Sequence, residues 1–522
     1  MSDKLLFTGA EWTPKLLDKT WEVIDDLGKN WLGLEYNPPQ FEIVTAQQMI
    51  SNICSHGMPQ YYNHWSFGKK FIKEQRKYQK GMSGTIFELV INTDPSIAYL
   101  METNTMSMMA LVIAHASVGH ASVFKQNYLF KEWTVPDFTV EYIKYASKYI
   151  KQCEEKYGIE AVEYILDRAH ALAYHSIDRY KKNRSRKKDG SKLTRMAKKE
   201  EELYDILKES IPGYKEYKKS IKFGHLIENE EFSSSKYNLP EDNILYFLEK
   251  HSLVLKTWQK EILRIVRVLS QSFFPQMEIH LLHEGWASFI HYEIMTKLYD
   301  DGYIAEAAYF EFLSNHTAVV NQPEVPYGNS YINPYKLGYE MFKDLKRICQ
   351  EPTEEDKKWF PDIVNTDWKE TLKDIMINYK DETFILDFLS PKLIRDFGFY
   401  IYQEEDGDYN RIAAAFHIIP PYGNGSYVVL GTHDDDDIHN IRLHLSKMYG
   451  LSEIRIPHIE INQVYMKTDR SIVLKETSGI DMELDRNQLE KTLEYIHDLW
   501  GYPVSFMAKY EDNKYTEIAR IK

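Results

Sequence analysis

Cysteine is scarce: Cys54, Cys153 and Cys349 are three in 522 residues, far apart and with no CxxC pair. That excludes a disulfide-stapled scaffold and a cysteine-ligated zinc ribbon. Basic charge is in deficit, 64 Lys and Arg against 78 Asp and Glu, for a formal net charge of -14. The overall field repels nucleic acid and anionic lipid, so neither is expected as a partner unless a local patch overrides it. The N-terminus, MSDKLLFTGAEWTPKLLDK, lacks a basic segment leading into a long apolar core and a small-residue cleavage site. An intracellular, cytoplasmic protein is expected.

One run lacks charge altogether. Residues 103–124 contain no Asp, Glu, Lys or Arg, a length that can span a bilayer. Yet His115, His120, Asn104 and several Ser and Thr fall inside it, each costly in hydrocarbon without a partner. A buried helix in a bundle is therefore expected, and no membrane span.

What is present suits a large folded chain: 43% hydrophobic, 27% charged and 14% aromatic residues, with 38 Tyr. At ~150 residues per domain the length allows about three domains. From the N-terminus to about Pro391 apolar residues recur every three or four positions, as in LYFLEKHSLVLKTWQKEILRIVRVLSQSFF, which predicts helices. Asp94-Pro95 reads as a helix start running into IAYLM. Between Lys181 and Lys199 stand ten Lys or Arg against one Asp, followed by EEELYD. This is either a docking site for RNA or an acidic partner, or a solvated insertion, extending to about residue 240. No interleaved aromatic favours base stacking.

After residue 390 the pattern turns to short strands: RDFGFYIYQEE, NRIAAAFHII, PHIEINQVYMK, RSIVLKETS, PVSFMAKYE and TEIARI, with helical stretches near Asp437–Tyr449 and Arg486–Trp500. The expected architecture is a mainly α domain over residues 1–390, with a charged insertion near 181–240. A small α+β domain of order β-β-α-β-β-α-β-β follows over 391–522. The acidic run Asp434–Asp437 reads as a helix N-terminus more readily than as a cation site.

Ligand-type residues gather in two apolar settings, MALVIAHASVGHASVF and IHLLHEGWASFIHYEIM. In the second, Glu284 and His291 are seven apart, about 700° on an α-helix, and share a face with Ser288. They either reach a common ion or substrate, or form a buried Glu satisfied by a neighbour. His283 projects about 100° away from Glu284 and is not expected as a ligand. His115 and His120 are five apart, about 140° on a regular helix, unlike the HExxH spacing. A π-bulge or helix end at Gly119 would bring the rings together. Ala116 stands where an HExxH helix carries its general base, so a base must come from elsewhere. Glu102 is the nearest preceding carboxylate. Partial burial would raise its pKa toward base competence, the alternative being a surface Glu at a helix start. His115, His120 and Glu284 would supply the three ligands with an open position that zinc or another divalent ion commonly uses. His64 is expected to pack with Trp65 and Phe67. Tyr331 and Tyr335 are read either as donors to a developing oxyanion or as loop hydrogen-bonders, and Arg179-Tyr180 as a possible carboxylate anchor.

The strings MPQYYNHWSFGKKF, ELVINTDPSIAYLMETNT, AHASVGHASVFKQNYLF, HEGWASFIHY, INPYKLGYEMF, RICQEPTEEDKKWFPDI and FLSPKLIRDFGF resemble the stage V sporulation protein R family, in order and through almost the whole chain. The resemblance implies a cytoplasmic protein linked to spore cortex formation. It also implies a shared pathway with a PrkA-type serine kinase/AAA+ protein and a von Willebrand A-like protein, and brings no agreed reaction. EGWASFIH is in addition similar to the EGWALYxE helix of gluzincin-like peptidases, and GHASVF to their PGHHLQ segment. That likeness implies a gluzincin-like helical domain, with Glu284, His120 and His115 as ligands and His291 in place of a second carboxylate. Tyr335 would then correspond to an oxyanion-stabilising tyrosine. The resulting expectation is a metal-dependent hydrolase of an amide bond in a peptide or peptidoglycan precursor, with Glu102 or His291 as proton acceptor. The competing expectation is a non-catalytic scaffold joining the kinase and the von Willebrand A-like protein.

Overall fold

The computed structural model describes residues 4–54, 61–79, 88–177, 239–322, 332–404, 410–413, 427–429, 434–449, 457–465, 468–477, 485–509 and 515–522. The basic insertion, Tyr331 and Arg179-Tyr180 lie outside them. Helices dominate the N-terminal region, and the C-terminal region carries two small sheets. The chain packs as two units, one of Met1–Pro59, Trp65–Pro136 and Pro275–Arg455, the other of Gln60–His64, Asp137–Phe274 and Ile456–Lys522.

The first unit is built around the uncharged run. Thr105 caps the helix Met106–Ile113 by accepting from the Met108 amide. The helical path continues through a π segment, Ala114–His120, into Ala121–Gln126. Among the described residues one helical stretch, Met106–Gln126, is long and apolar enough to cross a membrane by length and composition, and its apolar window is wholly buried inside the protein. The helix His280–Asp300 packs directly on the π segment and on the helix Pro334–Gln350. Their apolar faces form a continuous core that includes Ile113, Trp286, Phe289, Ile290 and Phe342.

Asp94-Pro95 does not start a helix. Ser96–Met101 is instead the middle strand of a three-stranded sheet, parallel to Pro39–Val44 and antiparallel to Glu88–Ile91. Periodicity alone does not separate a short apolar run buried on both faces from a helix. Ile97 is the one residue of this strand that is not fully buried.

The C-terminal strands and helices fall on the expected segments. Tyr400–Glu404 pairs with Asn410–Ala413 and with an additional short strand, Tyr427–Val429, and the helix Asp435–Tyr449 follows. Asp434 accepts a hydrogen bond from the Asp437 amide at that helix start. In the second unit a four-stranded sheet runs in the order Tyr515–Ile521, Val504–Lys509, Ile472–Glu476, Ile459–Val464, with the helix Arg486–Trp500 packed on it. Its helical part buries Glu249. Burial raises that carboxyl, but Arg267 and Arg264, both hydrogen-bonded to it, outweigh burial and hold it down at about 2.

Candidate metal centre

Two features of the backbone bring the ligand-type residues together. The π segment absorbs the five-residue spacing, so that His115 and His120 stand with ring centroids 4.6 Å apart, edge to face. Gly119, inside that segment, lets the second helix approach. A Cβ on Gly119 would stand 2.7 Å from the Ala287 Cα. On the second helix Asp381 acts as a remote cap, its two carboxylate oxygens accepting from the amides of Leu281 and Leu282 at 2.8 Å each. The cap fixes the turn that carries Glu284.

Replacing Asp381 by Ala removes both acceptors from a buried helix start. A loss of about 1–2 kcal/mol is expected, read as a lower urea midpoint with an unchanged slope. Asp381→Asn, which keeps one acceptor oxygen, should lose less. An unmoved midpoint for the Ala variant would remove the capping role.

The candidate ligand atoms of His115, His120 and Glu284 all lie within 4.8 Å of one another. Glu284 Oε2 is 3.4 Å from His120 Nε2 and 3.7 Å from His115 Nε2. Both exceed the usual 2.7–3.2 Å of an N–H···O bond, and Oε2 makes no hydrogen bond to the described residues. Ligands about 2.05 Å from one tetrahedral ion stand about 3.3 Å apart. The spacing thus fits groups sharing an ion better than groups sharing a proton. Ser288 Oγ and Ser117 Oγ, also fully buried on these two helices, likewise have no hydrogen-bond partner among the described residues.

Burial raises the Glu284 carboxyl, but the imidazoles of His120, His115 and His280 outweigh it and hold the group below the ordinary carboxylate range. Burial drives His283 and His291 well below the usual imidazole value and His316 down to about 4. These three rings are therefore neutral at pH 7.

His291 is brought into the group. Its Nδ1 lies 2.7 Å from His115 Nδ1 and its Nε2 2.7 Å from His316 Nδ1, so both ring nitrogens are engaged. Glu102 is not brought in. It is exposed on the turn after Met101, not partly buried, because the preceding apolar residues form a strand that ends there. Tyr335 is half-buried in the first turn of Pro334–Gln350, edge-on to His280 at 6.5 Å. His283 packs edge-on against His120 at 4.2 Å and beside Phe124. His64 lies in the second unit and bonds Asp167 at 3.0 Å. The sequence reading missed His316. Its available signal was the four-residue spacing from Phe312, the two being the buried positions of an otherwise more exposed helix, Glu306–Val319.

The SpoVR like protein family matches residues 11–418, and the SpoVR-like C-terminal domain matches residues 457–510. The chain belongs to the SpoVR family. It is also similar to a protein of Escherichia coli (strain K12) named Uncharacterized protein YcgB, 43% identical over 513 residues, covering 97% of this chain and 94% of that one. No solved structure matches the chain. The larger family match takes in every residue of the His/Glu group, His316 included.

Proposed function

We propose that this SpoVR-family protein is a metal-dependent hydrolase acting on an amide bond, with His115, His120 and Glu284 holding a divalent ion of the zinc class. The observation that carries the proposal is the spacing of three donors around one buried point, with Glu284 Oε2 at 3.4 and 3.7 Å from two imidazole nitrogens. Two His and one Glu, with a fourth position left open, is a donor set used for amide hydrolysis. When bound, such an ion polarises a carbonyl and activates water at neutral pH. The chain's own residues would bind it in a site largely closed to bulk water: His115 is 3% and His120 5% exposed, and Glu284 is the most exposed donor, its side chain 16% exposed. The family's name connects the proposal to sporulation. Peptides and peptidoglycan precursors are the amide substrates that spore cortex formation would offer.

The test uses tag-free protein. Bound zinc, manganese and iron are measured, then amine release from muropeptides is followed for wild type and Glu284→Gln. About one ion per chain with hydrolysis lost in the variant is the expected result. An ion without hydrolysis would shift the reading to a scaffold joining the PrkA-type kinase and the von Willebrand A-like protein, whose partners Glu284→Gln should retain. A folded wild type that binds no ion overturns the proposal.

A further inference from the structure

We propose that His291 and His316 are positioning residues of this centre: the hydrogen-bonded chain His115–His291–His316 takes up the His115 Nδ1 proton and so supports the tautomer that turns an Nε2 lone pair toward the ion. The inference rests on the metal-binding reading and names the residues that support it.

A neutral imidazole carries one N–H and one lone pair. His115 Nε2 faces Glu284 at 3.7 Å, so a ligating His115 must hold its proton on Nδ1. That nitrogen meets His291 Nδ1 at 2.7 Å, and a contact this short between two imidazoles needs one donor and one acceptor. His115 then donates and His291 Nδ1 accepts, which puts the His291 proton on Nε2. His291 Nε2 in turn meets His316 Nδ1 at 2.7 Å, so it donates and His316 keeps its proton on Nε2. A single choice at the ligand sets the polarity of all three rings.

The surroundings hold that chain in place. His115, His291 and His316 are 3%, 0% and 5% exposed, leaving little room for water to compete. His316 is gripped by the rings of Tyr339 at 4.7 Å and Tyr292 at 5.0 Å, with Phe312 one turn earlier on its own helix. The opposite polarity, with His115 Nε2 protonated toward Glu284, would aim a hydrogen at the place of the ion. With its proton on Nε2, His316 presents Nδ1 as the acceptor for His291, and the chain then supports the metal-binding tautomer two rings away. Partners of this kind govern metal affinity as well as ring orientation.

The test compares His316→Leu, which removes the acceptor, with His316→Asn, whose amide oxygen stands where Nδ1 was. Zinc affinity is measured on the full chain by competition with a chelator, and folding by thermal unfolding without metal. His316→Leu should bind zinc about 10- to 100-fold more weakly, and His316→Asn within about threefold of wild type. Nitrogen-15 histidine spectra of the zinc-loaded wild type give a second readout, with His291 expected to carry its proton on Nε2. A folded His316→Leu protein with wild-type affinity overturns the positioning role, as does a loaded wild type with the His291 proton on Nδ1. A wild type that takes up no zinc fails the metal reading itself, and the positioning role falls with it; the first two outcomes leave metal binding intact.

Discussion

His120→Ala is expected to abolish stoichiometric metal binding, and His115→Ala and Glu284→Ala to do the same. Structural zinc sites with four ligands have apparent binding energies of about 10–16 kcal/mol, or about 2.5–4 kcal/mol for each ligand. Loss of one donor from a three-donor set should therefore weaken binding by at least about 10²–10³-fold. The change is read as metal content after dialysis and as zinc affinity by competition. Thermal unfolding supplies an independent arm. Zinc at 100 times its dissociation constant stabilises a folded protein by about 2.7 kcal/mol, so wild type should shift upward on zinc addition and the three variants should not. His283→Phe is the control. His283 neighbours Glu284 and packs on His120, but its Nε2 has no hydrogen-bond partner among the described residues and its ring sits among Phe124 and Phe130. A phenyl ring there should keep the metal. If His283→Phe loses the ion as completely as His120→Ala, the donor set is wrongly drawn; if His120→Ala keeps it, there is no such set.

The parts of this site that are local in sequence could be read from it, and the parts set by distant packing could not. Glu284, Ser288 and His291 share a face by simple helical arithmetic, and the absence of charge over residues 103–124 pointed to a buried helix. The convergence of His115 and His120 had only a conditional reading. A regular helix would splay them by about 140°, and the π segment that brings them together lies where Ala287 approaches Gly119, a contact between residues far apart in the chain. IAYLM was misread as a helix, and of the two readings of Glu102 the surface one holds, since the strand leaves it on an exposed turn. His316 had no motif around it. It belongs to the site through a bond to His291, 25 residues earlier, which in turn bonds His115 across 176. The C-terminal strands were legible because alternation and β-branched content are local signals. Tyr427–Val429, three residues long, is too short to show either.

Gly285→Ala is expected to destabilise the protein by about 3 kcal/mol or more and to weaken metal binding at the same time. A Cβ on Gly285 would meet the Gly338 Cα and carbonyl carbon at 2.4 Å, and one on Gly338 would meet the Leu281 carbonyl oxygen at 2.4 Å. The obstacle in both cases is backbone, which cannot rotate aside as a side chain does. Relief requires the helices His280–Asp300 and Pro334–Gln350 to part by about 1 Å or more to restore ordinary contact near 3.5 Å. Movement in that direction is blocked. Gly285 and Ala287 are two residues apart, about 200° around the helix, so the face opposite Gly338 carries the close contact of Ala287 with Gly119. The helix is wedged between two glycines, and Glu284 lies on it beside one of them. Any accommodation of the added methyl displaces the carboxylate from the two imidazoles or drives Ala287 into the π segment. Gly68→Ala gives the contrast. Gly68 is exposed within the helix Trp65–Gln79 and a Cβ there meets nothing within 4 Å, so the same added methyl should stabilise by about 0.4–1 kcal/mol through the unfolded chain. Urea midpoints moving in opposite directions for the two variants, with zinc affinity falling only in Gly285→Ala, tie the close approach of the helices to the geometry of the site. Equal midpoints for Gly285→Ala and wild type would mean that the helices have room to spare, and that the 3.4 Å and 3.7 Å separations at Glu284 are not held by the packing.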